Sequence, residues 1–311
     1  MTQEKELSYG IVVPVLNGGE TWRSCVCALR AQLPQPAHIL VIDSGSTDGS
    51  DEVSLQAGFE VVRISKREFD HGGTRKMAAE RLDKQDVVVF LTQDAVPASA
   101  DTIKKLVAAF DDTQVSVAYG RQLPRDGAGP VEAHARHFNY PVRSDIRVLE
   151  DRRSLGIKAA FSSNSFAAYR SEALAAVGGF PSKLILAEDM VVTARMLLTG
   201  GKSAYVADAC VYHSHDYTVL QEFRRYFDIG VLHQDQSWLL DKFGKPEGEG
   251  GRFVRSEVRY LSKRAPWLLP LALLRTAMKL MGYKLGKHSS ALPLSLKCRL
   301  SMHRAYWGDR D

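Results

Sequence analysis

One feature constrains this chain more than any other. Over residues 9–119, short and almost uninterrupted apolar runs alternate with segments of helical spacing. The runs are "YGIVVPVLN" (Tyr9 to Asn17), the first half of "HILVIDSGSTDGS" (His38 to Ser50), "GFEVVRI" (Gly58 to Ile64), "DVVVFL" (Asp86 to Leu91) and Val115 to Tyr119. Between them, Gly19 to Leu33 puts Trp22, Val26, Leu29 and Leu33 on one side of a helix. Helices are also predicted after a cap at Ser50 or Asp51, over His71 to Leu82, and over Asp101 to Phe110. Strands with no polar alternation are buried on both faces, and strand–helix alternation joins them in parallel. The expected fold class is α/β, a mainly parallel sheet flanked by helices. Ligands of such sheets bind beyond the carboxyl ends of the strands. Polar clusters stand at those ends: Asn17, Asp43 to Asp48, and Thr92-Gln93-Asp94, where "VVVFLTQDAVP" turns from buried strand to loop.

The second half is less regular. Ser162 to Arg170 reads as a strand, Glu188 to Gly201 as a helix with carboxylates in its first turn, and Ser203 to Tyr217 as a strand ending in His213 and His215. Gln221 to Leu240 is helical and "GKPEGEGG" (Gly244 to Gly251) is a flexible break. Gly127 to Lys158 gives nothing beyond a helix around His134 to Asn139. The expected division is a catalytic domain over 1–243 and a helical, basic extension over 244–311. The chain's net charge of +5 conceals that extension: residues 252–311 carry 13 Lys/Arg against 3 Asp/Glu, and the rest carries 28 against 33. A basic tail on a mildly acidic body suggests an anionic partner surface. Four scattered cysteines suit free thiols in a reducing compartment. The short polar opening before Tyr9 does not resemble a secretory leader, and no uncharged apolar stretch reaches the about 18 residues of a membrane span.

Several residues carry candidate chemistry. Asp94 has no cation in the adjoining sequence, so it is read either as a ligand to a divalent ion or as a loop cap. Asp43 can accept from a pyrimidine N–H, with the Ser/Gly turn after it giving backbone donors; the same residues also make an ordinary turn. In "HGGTR", two glycines precede a helix start, a place that favours anions, and Arg75 can reach a phosphate with His71 beside it. Glu188-Asp189 supplies either a general base or dipole compensation. His213 and His215 point the same way if the strand continues, and one of them can hold a metal ion or contact a phosphate.

Taken in order, "VPVLNGG", "VIDSGSTDGS", "FLTQDAVP", and "GGF" followed by "EDM" resemble the inverting glycosyltransferases of family 2, with the GT-A nucleotide-diphospho-sugar transferase fold. The motifs span Gly10 to about Tyr217. The resemblance implies a nucleotide-sugar donor held by Pro14, Asn17, Asp43, Ser44, Gly45 and Ser46, by His71, Gly72, Gly73 and Arg75, and by Gln93. It implies a Mg²⁺ or Mn²⁺ ion at Asp94, with Asp189 as catalytic base and Glu188, Gly179 and Phe180 on the acceptor side. Where the family usually has two aspartates, this chain has Thr92-Gln93-Asp94, and His213 is expected to compensate as a further ligand. "FDHGGTR", "FLTQDAVP" and "YHSHDY" together resemble the bacterial rhamnosyltransferase branch, which implies dTDP-L-rhamnose as donor and a surface polysaccharide such as O-antigen, lipid-linked while it grows, as acceptor.

The remaining expectations concern the surroundings. "APWLLPLALLRTAMKLMGYKLGK" (Ala265 to Lys287) is too interrupted to span a membrane, but as an amphipathic helix it can lie on one. The competing expectation is a helical hairpin packed on the catalytic domain or on a second subunit, so oligomer formation is left open. A cytoplasmic protein, peripheral on the inner face of the membrane, follows from the first. Nucleic acid is not expected as a partner, because no recognised module is present. Two other functions stay open: the same fold with UDP-galactofuranose or a UDP-hexose, and a non-catalytic sugar-nucleotide-binding scaffold. A processive polymerase is disfavoured, since "QEFRRYF" (Gln221 to Phe227) lacks the Trp of a Gln-any-any-Arg-Trp motif.

Overall fold

A computed structural model describes residues 7–245 and 248–308. Nine strands form one sheet: β1 (Tyr9–Val15), β2 (His38–Asp43), β3 (Glu60–Arg63), β4 (Val87–Leu91), β5 (Val96–Pro97), β6 (Val115–Leu123), β7 (Asp145–Arg147), β8 (Phe166–Arg170) and β9 (Lys202–Tyr212). Their order is β3-β2-β1-β4-β8-β6-β9-β5, with β7 also paired to β9. The block β3-β2-β1-β4 is parallel. β8 runs against β4 and β6, and β5 and β7 run against β9, so the sheet is mixed in its second half.

The central strands are buried on both faces, as their unbroken apolar runs require. Ile11, Val13 and Val15 face the helix Gly19–Arg30 through Trp22, Cys25, Val26 and Leu29. Val12, with Leu40, Ile42 and Phe90, faces the opposite layer, which includes Ala78 and Leu82. Pro14 lies two residues past the last β4 partner, Val12 opposite Phe90, where a missing N–H costs no rung on that side. Leu33 does not extend the first helix. The chain leaves it at Arg30 and Leu33 is exposed, because Pro34 and Pro36 follow.

Two other boundaries differ from expectation. Strand β9 stops at Tyr212, leaving His213 and His215 on a loop. Helix Glu249–Arg264 begins inside the expected Gly244–Gly251 break, of which Pro246 and Glu247 lie outside the described residues. The extension does not stand apart. Helix Leu269–Gly286 lies along helix Val219–Asp235, on the catalytic side of the expected division. Their backbones touch: a Cβ at Gly286 would sit 2.0 Å from the Phe227 carbonyl, and one at Gly230 would sit 2.4 Å from the Tyr283 carbonyl. Only glycine allows that approach.

Candidate active site

Strand register builds the site. β5 meets β9 with Val96 opposite Tyr212 and Pro97 opposite Val211. Followed outward, the same register sets Asp94 abreast of the residues just past Tyr212. A bulge aims that end of β9. Pairing with β6 jumps from Gly120 opposite Val206 to Arg121 opposite Cys210, which kinks the strand towards the cleft. Gly120 permits the kink, since a Cβ there would lie 2.3 Å from the Phe166 ring and 2.6 Å from the Ala209 carbonyl.

The result is a cluster of Asp94, His213 and His215 whose ligand atoms all lie within 4.8 Å of one another. His213 Nε2 is 3.5 Å from Asp94 Oδ1, and His215 Nδ1 is 3.9 Å from Oδ2. The neighbours set the His213 tautomer. Gln122 donates from Nε2 to Ser163 Oγ, which turns its Oε1 towards Arg136 Nη1 and His213 Nδ1. His213 Nδ1 therefore carries the proton and Nε2 presents a lone pair. That Nε2 is buried without a hydrogen-bond partner and faces a carboxylate oxygen. Two acceptors turned on each other need a cation between them. Burial, more than any neighbour, lowers both histidine pKa values, that of His215 to about 4, so both are neutral ligands at pH 7. The donor set thus fits a divalent metal ion, with Gln122 orienting one ligand from behind.

Arg125 stands beside this cluster. Its Nη2 donates to the Asp94 carbonyl at 2.5 Å and lies 3.4 Å from Asp94 Oδ2. It leaves about a third of its side chain exposed. Nothing near it in the sequence marks it as a site residue.

Asp43 closes β2 and is 2% exposed. Its Oδ1 accepts from the Gly45 and Ser46 N–H groups, which folds the turn. Its Oδ2 is buried and has no partner. An unpartnered carboxylate oxygen costs free energy unless a ligand N–H reaches it. Ser44 is spent on the Val15 carbonyl, and Ser46 Oγ accepts from the Asn17 N–H. Asn17 sits at φ 47° and binds the Thr47 N–H. These contacts brace the loop after β1 against the loop after β2.

Three expected donor contacts are used otherwise. Gln93 points back, accepting from the Leu16 N–H at 2.7 Å and donating to the Leu16 carbonyl at 3.1 Å, so its amide ties two loops together. At the start of the His71 helix, Asp70 takes the Gly73 N–H, so one donor of that N-terminus is already used within the protein. Gly72 serves packing: a Cβ there would lie 1.7 Å from the Pro181 carbonyl. Arg75 is buried and pairs with Glu188 at 3.0 Å while donating to the His71 carbonyl, so it is no open phosphate clamp. On the acceptor side, Phe180 is core, edge-on to Phe90 and Tyr169. Gly179, at φ 72°, turns the chain towards it over the stem of Lys76.

Glu188 and Asp189 open the helix Glu188–Leu198. Asn164 joins them, donating its backbone N–H to Asp189 Oδ2 at 2.9 Å and its side-chain amide to Glu188 at 3.1 Å. Ala187, just before them, is held at φ 61°, a left-handed conformation that costs a residue with a Cβ about 1 kcal/mol or more. Burial would raise Glu188, but Arg75 and then His71 pull it down and keep it ionised. Burial, then the Glu188 charge, pushes Asp189 up to about 6. Asp189 is also the partly exposed member of the pair. One carboxylate is a fixed anion and the other is poised to exchange a proton near neutrality.

The chain's end returns to this cleft. Asp228 accepts from the Met302 and His303 N–H groups, and the His303 ring stands edge-on to His71 with centroids 5.4 Å apart.

The model of the family described as "Glycosyl transferase family 2" matches residues 10–178. The chain is 46% identical over 303 residues to the O-antigen chain rhamnosyltransferase WbaN of Salmonella anatum, covering 97% of this chain and 96% of that one. The chain belongs to glycosyl transferase family 2. It is also 45% identical over 300 residues to the O-antigen chain rhamnosyltransferase RfbN of Salmonella typhimurium, covering 96% of each. Among solved structures, a Pyrobaculum calidifontis mannosyltransferase in complex with GDP-Man and Mn²⁺ matches with a TM-score of 0.57 at 19% identity, covering 98% of this chain and 86% of that one. Staphylococcus aureus TarS in complex with UDP-GlcNAc matches at 0.52 and 16% identity, covering 91% of each. These likenesses bear out the glycosyltransferase fold and the enzyme class. Among the described residues, no helix is long and apolar enough to cross a membrane.

Proposed function

We propose that this family 2 enzyme transfers L-rhamnose from dTDP-L-rhamnose to a hydroxyl of a growing, lipid-linked O-antigen polysaccharide, inverting the anomeric configuration. The donor sugar and the acceptor rest on two relatives that match over nearly their whole length and are named O-antigen chain rhamnosyltransferases. The geometric observation that carries the reading is the Asp94–His213–His215 cluster, set at the carboxyl end of the sheet with a buried, unpartnered Nε2.

Each group has its own part in the transfer. Asp43 Oδ2 accepts the pyrimidine N–H, within the loops braced by Asn17, Ser44, Gly45 and Ser46. Asp94, His213 and His215 hold Mg²⁺ or Mn²⁺, which when bound supplies positive charge to the diphosphate leaving group. Arg125 adds a guanidinium to the same group. Arg75 and Asn164 fix Glu188 and Asp189, and Asp189 takes the proton from the acceptor hydroxyl. The hydroxyl oxygen then bonds to the anomeric carbon while the bond to dTDP breaks on the opposite face, and dTDP leaves with the electron pair. Residues 1–243 act as the transferase unit, and 244–311 as an extension that closes one wall and works at the cytoplasmic face of the membrane.

The test is calorimetric titration of dTDP-L-rhamnose with and without Mn²⁺, followed by transfer to a lipid-linked acceptor with the product's anomeric configuration read by NMR. Tight, metal-dependent binding and an inverted product are expected, with Asp189→Asn losing turnover while keeping donor affinity. Tighter binding of UDP-galactofuranose or a UDP-hexose would overturn the donor, and binding without any transfer would leave only a scaffold.

A further inference from the structure

The helix Leu269–Gly286 is turned inside out. Two of its three charged residues point inward: Lys279 reaches Glu222 at 3.0 Å, and Arg275 approaches the same carboxylate at 3.9 Å, while Lys284 stays exposed. Both cations are largely buried, beside the buried Glu257. Its glycines also face inward, against helix Val219–Asp235. Outside stand Leu273, Leu274, Leu280, Met281 and Leu285, all more than a third exposed, with Ala277 and Lys284 exposed among them. Their spacing is that of one helix face, so they form a single stripe. Trp267 continues the stripe past the helix start and is 73% exposed. Beyond its other end, helix Leu294–Leu300 exposes Leu294 and Leu296. A surface helix in water has the reverse arrangement, and a contiguous apolar stripe of this extent marks a contact surface.

Charge decides what covers it. From Val258 to Gly308 the chain has ten Lys/Arg and no Asp or Glu. Lys263 and Arg264 stand at the Trp267 end of the stripe, and Lys284 and Lys287 at the other. A second copy of the chain, docked stripe to stripe, would bring these basic rims together with no acidic group of the segment to answer them. An anionic bilayer answers them directly. Its hydrocarbon takes up the leucines and Trp267, and its headgroups take up the lysines and arginines.

We propose that the face carrying Trp267, Leu273, Leu280 and Leu285 is a membrane-docking surface for anionic lipid, with the helix lying in the plane of the interface. This deepens the reading of a lipid-linked acceptor and rests on it. The same extension reaches the cleft through His303, which ties the docking face to the catalytic domain.

The experiment is flotation of the full chain with vesicles of phosphatidylcholine alone or with a third of phosphatidylglycerol, alongside the emission spectrum of Trp267. Cofloating only with the anionic vesicles and a blue shift that Trp267→Phe abolishes are expected. Leu273→Glu with Leu280→Glu changes two exposed residues, so the fold is spared and binding is lost. Lys284→Gln with Lys287→Gln weakens binding by roughly tenfold or more. Equal binding to neutral vesicles, or full binding by the double Glu variant, would overturn the proposal. So would a folded wild type that ignores both vesicles, including one whose self-association the double Glu variant abolishes, which would assign the stripe to a second copy. Flotation uses neither donor nor acceptor. Failure of the rhamnosyl-transfer reading is seen in the titration and product analysis, and failure of the docking surface is seen here.

Discussion

Glu188→Gln offers a sharp test of how the cleft tunes its base. The amide keeps an oxygen to accept from both Arg75 and Asn164, so the geometry around Asn164 is preserved. What disappears is the negative charge beside Asp189. Two like charges on neighbouring side chains at an effective dielectric of about 20 repel by roughly 2–4 kcal/mol. Arg75, 3.0 Å from Glu188, cancels much of that in the wild type. A net change of about 1.4 kcal/mol, one pKa unit, is a conservative expectation. Arg75, having lost its anionic partner, pulls Asp189 further in the same direction. A general base must be deprotonated, so transfer rises as pH climbs through its pKa. In the wild type the acid limb of kcat/KM is expected near pH 6, the value to which burial and Glu188 push Asp189. In the variant that limb moves down by about one pH unit. The assay is release of dTDP in the presence of acceptor from about pH 4.5 to about 8.5, a range that brackets both limbs, with thermal melts showing the variant folded. An unmoved or upward-shifted limb would refute the assignment of Asp189 as a base tuned by Glu188.

Other residues yield further expectations. Gln122→Ala frees the His213 ring, and Mn²⁺ affinity measured by titration should fall by roughly 10- to 100-fold while dTDP affinity without metal is unchanged. Asp43→Asn replaces the unpartnered oxygen or its twin with an N–H₂ group, and the calorimetric Kd for dTDP should rise by roughly 10- to 100-fold. Gly72→Ala drives a methyl into the Pro181 carbonyl and should lower thermal stability by about 3 kcal/mol. Asp228, raised to about 6 chiefly by burial, favours the native state while protonated. Its contribution is therefore present below about pH 4 and is lost as pH rises through about 6, and Asp228→Asn should flatten the Tm profile across that window.

The parallel half of the sheet is legible in the sequence because nothing competes with its signal. Strands β1, β2 and β4 have no polar alternation, and each ends on the polar residues that face the cleft. Asp43 and Asp94 stand out for the same reason. Register is not legible. No local pattern says that the short strand Val96–Pro97 pairs with Val211–Tyr212, and that pairing is what brings Asp94 to the histidines. Gln122, Arg125 and Asn164 escape a reading of the sequence because their roles exist only across strands. Gln93 and Arg75 show a different difficulty. Both lie in motifs whose neighbourhood suggests open contact with the donor, yet each finds a protein partner that satisfies it first. One signal for the His71 helix does lie in the sequence: an Asp directly before a helix, as Asp70 stands before His71, is an N-cap, and its carboxylate takes one of the N–H groups that a phosphate would use.

The same local accounting explains how one acidic residue can serve where two are usual. A second aspartate at residue 92 or 93 would add charge, but Gln93 is committed to Leu16 and holds the loop after β1 in place. The chain instead brings two neutral imidazoles to Asp94 from the end of β9, and burial keeps them neutral. Such a site carries one negative charge rather than two. Its hold on a small, hard ion such as Mg²⁺ is weaker, while imidazole nitrogen suits a transition metal better. Arg125, 3.4 Å from Asp94, adds a positive charge beside the cluster. The departure from two aspartates, the kink at Gly120 and the placement of Arg125 thus belong to one arrangement, which sets two imidazole nitrogens and a guanidinium around a single carboxylate.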